Sequence, residues 1–216
     1  SHSYVQESDF YDLELAMTSA GVKIRCFDTS ASLMSVFGDL IITEGTYEFN
    51  TASDDLTVHG TATIKADGRF GTTYAGTPPT GDHSFGTLTI ESGGEYDATD
   101  ANTIVYGNID NSGTFTHNDG TLTNTYSSGR YKTITGFSGS SSLYNFDVDA
   151  TAGERQVQLI ADLDVDNDIT GQGSYPGIDM NTDNVILTVG TTSNAGSING
   201  KYIYGVASQT HTIQAA

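Results

Sequence analysis

The sequence predicts an all-β fold: a parallel β-helix, or β-solenoid, of right-handed turn, with coils of about 21–26 residues and loops extruded from its corners. Three observations predict it. One strand-turn-strand phrase is written three times, in residues 56–64 running to Gly68 and Phe70, in 85–90 running to Gly93 and Tyr96, and in 104–109 running to Gly113 and Phe115. Each alternates apolar with polar residues, the two-residue period of a strand with one buried face, and glycine breaks it where the chain turns. Marker glycines Gly38, Gly60, Gly86 and Gly107 then recur about every 21 to 26 residues, a period that implies stacked units. Finally, the 216 residues include 25 glycines, 3 prolines and no tryptophan, with much Thr, Ser, Asn and Asp and few strong helix formers.

In chain order, residues 1–8 are a polar end and residues 10–15 an alternating strand. A turn around Gly21 leads to a strand through Ile24, and residues 33–42 carry another, interrupted at Gly38-Asp39. Residues 13–17 are the one helix-like window, but they lack length and caps and read as strand. Loop 72–82 contains Pro78-Pro79, which cannot donate to a sheet ladder, and loop 123–142 is rich in Ser and Gly; both are expected to leave the coil at a corner. Cys26 alternates with Val22 and Ile24 and reads as a small buried hydrophobe.

A longer likeness links the two halves. Residues 10–15 read like 143–148, residues 47–51 like 178–182, and residues 56–60 like 186–190, all at an offset of about 130. The chain therefore reads as a single β-solenoid domain over 1–216, a segment of a larger protein, with an internal repeat of roughly 10–71 and 143–200 around a middle section 72–142. A single coil cannot cover its own apolar face. Stacked coils do, with Leu56, Val58, Ile64, Leu88, Ile90, Ile104, Ile109, Leu163, Val165, Ile169 and Leu187 lining the interior and Val58, Leu88 and Val105 in one column.

The strings LYNFDVDATAGE, LIADLDVDNDI, LTVHGTATI and FGTLTIESGGEYDATD resemble the degenerate β-helical repeats of large bacterial surface adhesins, similar to filamentous haemagglutinin, and of phage tail-fibre and other virion appendage proteins. The resemblance covers residues 10 to 200. It implies a structural and adhesive module outside the cell, on a virion or a bacterial surface, presenting loops to a host glycan or protein. It brings no catalytic signature with it.

Net charge is −19, from 27 acidic and 8 basic residues spread along the chain, a surface that repels nucleic acid and anionic membranes. No apolar run approaches the ~20 residues of a membrane helix. Asp162, Asp164, Asp166 and Asp168 place carboxylates at every second residue, on one strand face. They read either as a Ca²⁺ site, with Asp147 and Asp149 adding ligands from an adjoining coil, or as a plain acidic face. An EF-hand it is not, since Asn167 stands where glycine is needed and Gly173 where a bidentate Glu is expected. No other cofactor is expected.

The alternative function is a polysaccharide-degrading β-helix enzyme, for which Asp54-Asp55, Glu95-Asp97 and Asp97-Asp100 supply paired carboxylates. Acidic pairs are expected by chance in so Asp-rich a chain, and neighbours on a strand point to opposite faces. The five histidines show no metal-ligand spacing. Tyr47, Tyr96, Tyr106, Tyr126, Tyr131, Tyr144, Tyr202 and Tyr204 read either as aromatics stacked between coils or as an exposed track for sugars. The repeat is already running at Phe10 and still running at Ile213, so flanking domains or further subunits, as in a homotrimer, are expected to cover the ends.

Overall fold

The computed structural model describes residues 2–6, 9–17, 21–27, 33–73, 75–125, 131–151, 155–173, 176–180, 185–199, 202–205 and 212–215. Among them the only helix is one 3-10 turn, Gly139–Ser141. Strand pairing is parallel, the isolated bridge Thr191 to Asn194 being the exception. The chain winds as a β-solenoid whose strands stack on three faces.

On the first face Leu33–Val36 is followed by the opening half of Asp55–Ile64, the opening of His83–Ile90, Asn102–Val105, Thr121–Asn124, Asn145–Ala150, Asp168–Gly173 and Ser197–Asn199. The second begins with Leu13–Ala16 and the opening half of Leu40–Phe49, takes the closing halves of Asp55–Ile64 and His83–Ile90, and continues through Ile109–Asn111, Tyr131–Thr135, Arg155–Leu159, Pro176–Met180 and Tyr202–Gly205. Its third counterpart stacks His2–Gln6, Lys23–Phe27, the closing half of Leu40–Phe49, Gly68–Thr73, Glu95–Asp97 and Thr114–Thr116. After a break it resumes at Leu163–Val165, Ile186–Val189 and Thr212–Ala215.

Each of the three phrases seen in the sequence is thus one winding. Val58, Phe85 and Val105 stack on the first face, while Leu88 lies round the corner on the second, between Ala62 and Ile109. The expected single column of Val58, Leu88 and Val105 is therefore two columns. Coil length also ranges more widely than the expected 21–26: Val105 meets Asn124, 19 residues on, and Asp168 meets Ser197, 29 residues on. Corners absorb the difference, because the strands must stay in register and the turns need not.

In-register parallel strands place like positions directly above one another, about 4.8 Å apart. Inside the third face this builds a ladder of rings, with centroids 5.5 Å apart from Tyr47 to Phe70, 5.3 Å from Phe70 to Tyr96, 5.7 Å from Tyr96 to Phe115 and 5.1 Å from Phe115 to Phe137. Between the first and second faces the marker glycines form a ladder of their own. A Cβ on Gly60 would meet the Gly38 carbonyl oxygen at 2.5 Å, one on Gly86 the Gly60 oxygen at 2.4 Å, and one on Gly107 the Gly86 oxygen at 2.4 Å. These corners need glycine because each coil lies against the backbone of the one before.

Several expectations are corrected. Ile104 is half-buried on the outer side, and Thr103 takes the inward place in register with His83, its hydroxyl 3.3 Å from the Tyr96 hydroxyl. Of loop 72–82, Thr72 and Thr73 are strand and Pro79 is a buried corner whose carbonyl accepts bonds from Thr99 Oγ1 (3.0 Å) and Asp100 N (2.9 Å). Loop 123–142 contains a full strand, Tyr131–Thr135, and beyond it 138–140 are exposed while Ser141 and Ser142 are buried; residues 126–130 lie outside the described residues. So does the side chain of Cys26, whose backbone pairs with Val5. The likeness at an offset of about 130 joins strands one face out of step: Leu13 to Leu15 lie on the second face and Phe146 to Val148 on the first, Tyr47 on the third and Ile178 on the second, Val58 on the first and Val189 on the third.

Candidate functional site

Leu163 and Val165 point inward, so Asp162, Asp164 and Asp166 stand together on the outside of the third face, as alternation requires. Asp168 has already turned the corner and opens a first-face strand. Each carboxylate is engaged by a neighbouring winding: Asp162 Oδ1 accepts from Ile186 N (2.8 Å), Asp164 Oδ2 from Gly139 N (2.8 Å), Asp166 Oδ2 from Ser142 Oγ (3.0 Å) and Asp168 Oδ1 from Ser197 Oγ (2.7 Å). His117 Nε2 also lies 3.4 Å from Asp166 Oδ2. Asp147 and Asp149 belong to the first face, where Asp147 accepts from Thr170 Oγ1 and Gln172 Nε2, both at 2.7 Å. Burial pushes the Asp147 carboxyl up from its ordinary range, against those two bonds. Among the described residues no three His, Cys, Asp or Glu groups converge on one point. Asp162, Asp164 and Asp166 instead line an open groove of about 590 Å³ with Thr188, Thr191 and Gln214.

This use of aspartate recurs along the stack. Asp12 Oδ1 accepts from Asp39 N (2.9 Å), Asp39 Oδ1 from Thr61 N (2.7 Å), Asp55 Oδ1 from Asp82 N (2.8 Å) and Asp82 Oδ1 from Asn102 N (3.3 Å). Where a corner breaks the ladder, an N–H loses its backbone partner, and a carboxylate one winding earlier supplies the acceptor. Part of the acidity read from composition is this capping. Of the paired carboxylates, Asp54 is buried and caps Thr51 N at 2.9 Å, Glu95 and Asp97 both hold Arg69, at 3.1 and 2.9 Å, and Asp100 is exposed.

A second groove, of about 550 Å³, opens along the glycine corner and is lined by Thr57, His59, Gly86, Thr87, Tyr106 and Lys132 among others. Phe37, 53 % exposed, stacks on His59 with ring centroids 5.3 Å apart and planes 2° from parallel. Tyr106 is 40 % exposed. From the last inward residue of the first face to the first of the second takes four steps in Val36 to Leu40, Val58 to Ala62 and Val105 to Ile109, but three in Phe85 to Leu88. With one residue fewer, that winding has only Gly86 where its neighbours carry Phe37, His59 and Tyr106, and the outer ladder of rings lacks a rung. Lys132, two residues before Ile134 and thus level with Gly107, closes the far end.

Of the tyrosines, Tyr47 and Tyr96 belong to the interior ladder, Tyr106 and Tyr131 are exposed, and Tyr144 stacks on His117 at 5.4 Å. Tyr126 and the side chains of Tyr202 and Tyr204 lie outside the described residues. The sequence carried a signal for this groove that composition does not reveal: an aromatic or His precedes each marker glycine, and Phe85 alone is drawn inward by the shortened corner. No family model, characterised protein or solved structure matches the chain.

Proposed function

We propose that this chain is a non-enzymatic structural and adhesive module of an extracellular appendage, in a phage tail fibre, spike or decoration or in a bacterial surface adhesin. One observation supports the reading above others: parallel strands stack in register on three faces, each winding bonded to the next along the first and second faces and, except after Thr114–Thr116, along the third. A rod built this way resists extension and holds corners and loops at fixed positions on its surface. The outer faces then serve recognition, and among the described residues 75–78 and 138–140 are exposed segments outside the coil strands.

The far end of the stack supports a partner. Ile198, Ile203 and Ile213 occupy inward positions of the three faces, above Ile169, Ile178 and Leu187, yet are 37 %, 38 % and 50 % exposed. A further winding or another subunit would cover them, and with them the open strand edge. The test is retention of the purified chain on whole bacterial cells and on immobilised host polysaccharide, with released sugar measured in the same samples. Saturable retention without product supports the reading; release of shortened glycan overturns it in favour of a glycosidase or lyase.

A further inference from the structure

The missing rung at Gly86 leaves a slot of defined size. Because His59 lies flat on Phe37, its other face looks along the stack, toward the level of Gly86. Tyr106 follows one winding later, its backbone N–H bonded to the Phe85 carbonyl at 2.9 Å. Two windings separate His59 from Tyr106, roughly 9–10 Å at the inter-strand spacing of a sheet. That interval admits one ring at about 4.5–5 Å from each, the distance at which rings stack. The floor is backbone, since Gly86 has no side chain and no room for one.

The rim identifies the ring. Thr57, Ser84 and Thr87 offer hydroxyls that bond no other side chain among the described residues, and Lys132 has no ion-pair partner among them. Flat carbon-lined faces with a polar, hydroxyl-bearing edge describe a pyranose, and the unpaired ammonium calls for a carboxylate on that edge.

We propose that the Gly86 slot binds a single acidic pyranose of a surface glycan, with His59 and Tyr106 against its two faces and Lys132 at its carboxylate. This rests on the adhesive reading and names the site through which it acts.

The test is a glycan array carrying neutral, uronic-acid, sialylated and sulfated oligosaccharides, followed by titration of the strongest binder. It is run on the wild type and on Tyr106→Ala, His59→Ala and Lys132→Gln, whose melting temperatures are checked against the wild type. Carboxylate-bearing glycans should be retained. Each aromatic truncation should weaken binding by about tenfold or more, and Lys132→Gln should erase the preference for acidic over neutral sugars. Binding that none of the three variants alters overturns the slot and leaves the adhesive reading standing. Preference for neutral or sulfated glycans overturns the assignment of an acidic carboxylate sugar. Retention of no glycan overturns the slot, while retention on whole cells, measured in parallel, decides the adhesive reading separately.

Discussion

His83 shows what a single inward position costs. Fully buried, it lies 4.8 Å from the Phe49 ring, with Nδ1 2.8 Å from the Tyr96 hydroxyl and no partner for Nε2 among the described residues. Burial holds the imidazole neutral and pushes its pKa down from 6.5 to about 3. Between those values the unfolded chain binds a proton that the folded chain refuses. Stability is complete above pH 6.5 and falls, as pH drops toward 3, by about 1.4 kcal/mol per unit. Asp147 works in the opposite sense, since its raised carboxyl favours the folded state as pH falls. It cancels when wild type and His83→Phe are compared, so the urea midpoint of the variant should lose less than that of the wild type between pH 7 and pH 4.5. Gly86→Ala, which drives a Cβ to 2.2 Å from the His59 carbonyl oxygen, should cost about 1–3 kcal/mol. Gly21→Ala, with open space around it, should be near neutral in the same urea titration. Inward residues such as Val58 and Ile64 were legible because apolar and polar residues alternate. Ile104 was not, for Thr-Ile-Val offers an apolar residue on either parity, and only the winding beneath decides between them.

At the scale of the element, the interior ring ladder concentrates the stabilisation of the third face. Phe70 touches Tyr47, Phe49, His83 and Tyr96 at once, so Phe70→Ala should cost about 3–5 kcal/mol, read from chemical denaturation, and should loosen two windings together. The strand Leu163–Val165 carries the calcium question. If Asp162, Asp164 and Asp166 gather the ion, calcium raises the melting temperature and Asp164→Asn abolishes the rise; an unchanged melting curve with chelator removes that reading. Strands and their turns were legible in the three phrases and in the glycine markers. The corner aspartates were not, because a carboxylate and the N–H it caps lie a winding apart, and their meeting depends on a register no local pattern encodes. The groove at Gly86 was hidden for the same reason: a one-residue deletion becomes a missing rung only when the strands on either side are known to stack.

For the whole molecule, the claim is that parallel windings bear on one another and supply the covered face that none has alone. Successive rungs of the first face run Ser35, Thr57, Ser84, Ile104, Thr123, Asp147 and Thr170. That order is the most direct handle on the architecture. Spin labels placed in pairs at Ser35 and Thr123 and at Ser35 and Thr170, in a Cys26→Ala background, report it through pulsed dipolar distances. At about 4.8 Å per rung the backbone separations are about 19 and about 29 Å. The account predicts that label distance grows by the same increment for each rung crossed. A pair separated by six rungs lying as close as one separated by four, as two facing antiparallel layers would place them, would contradict it.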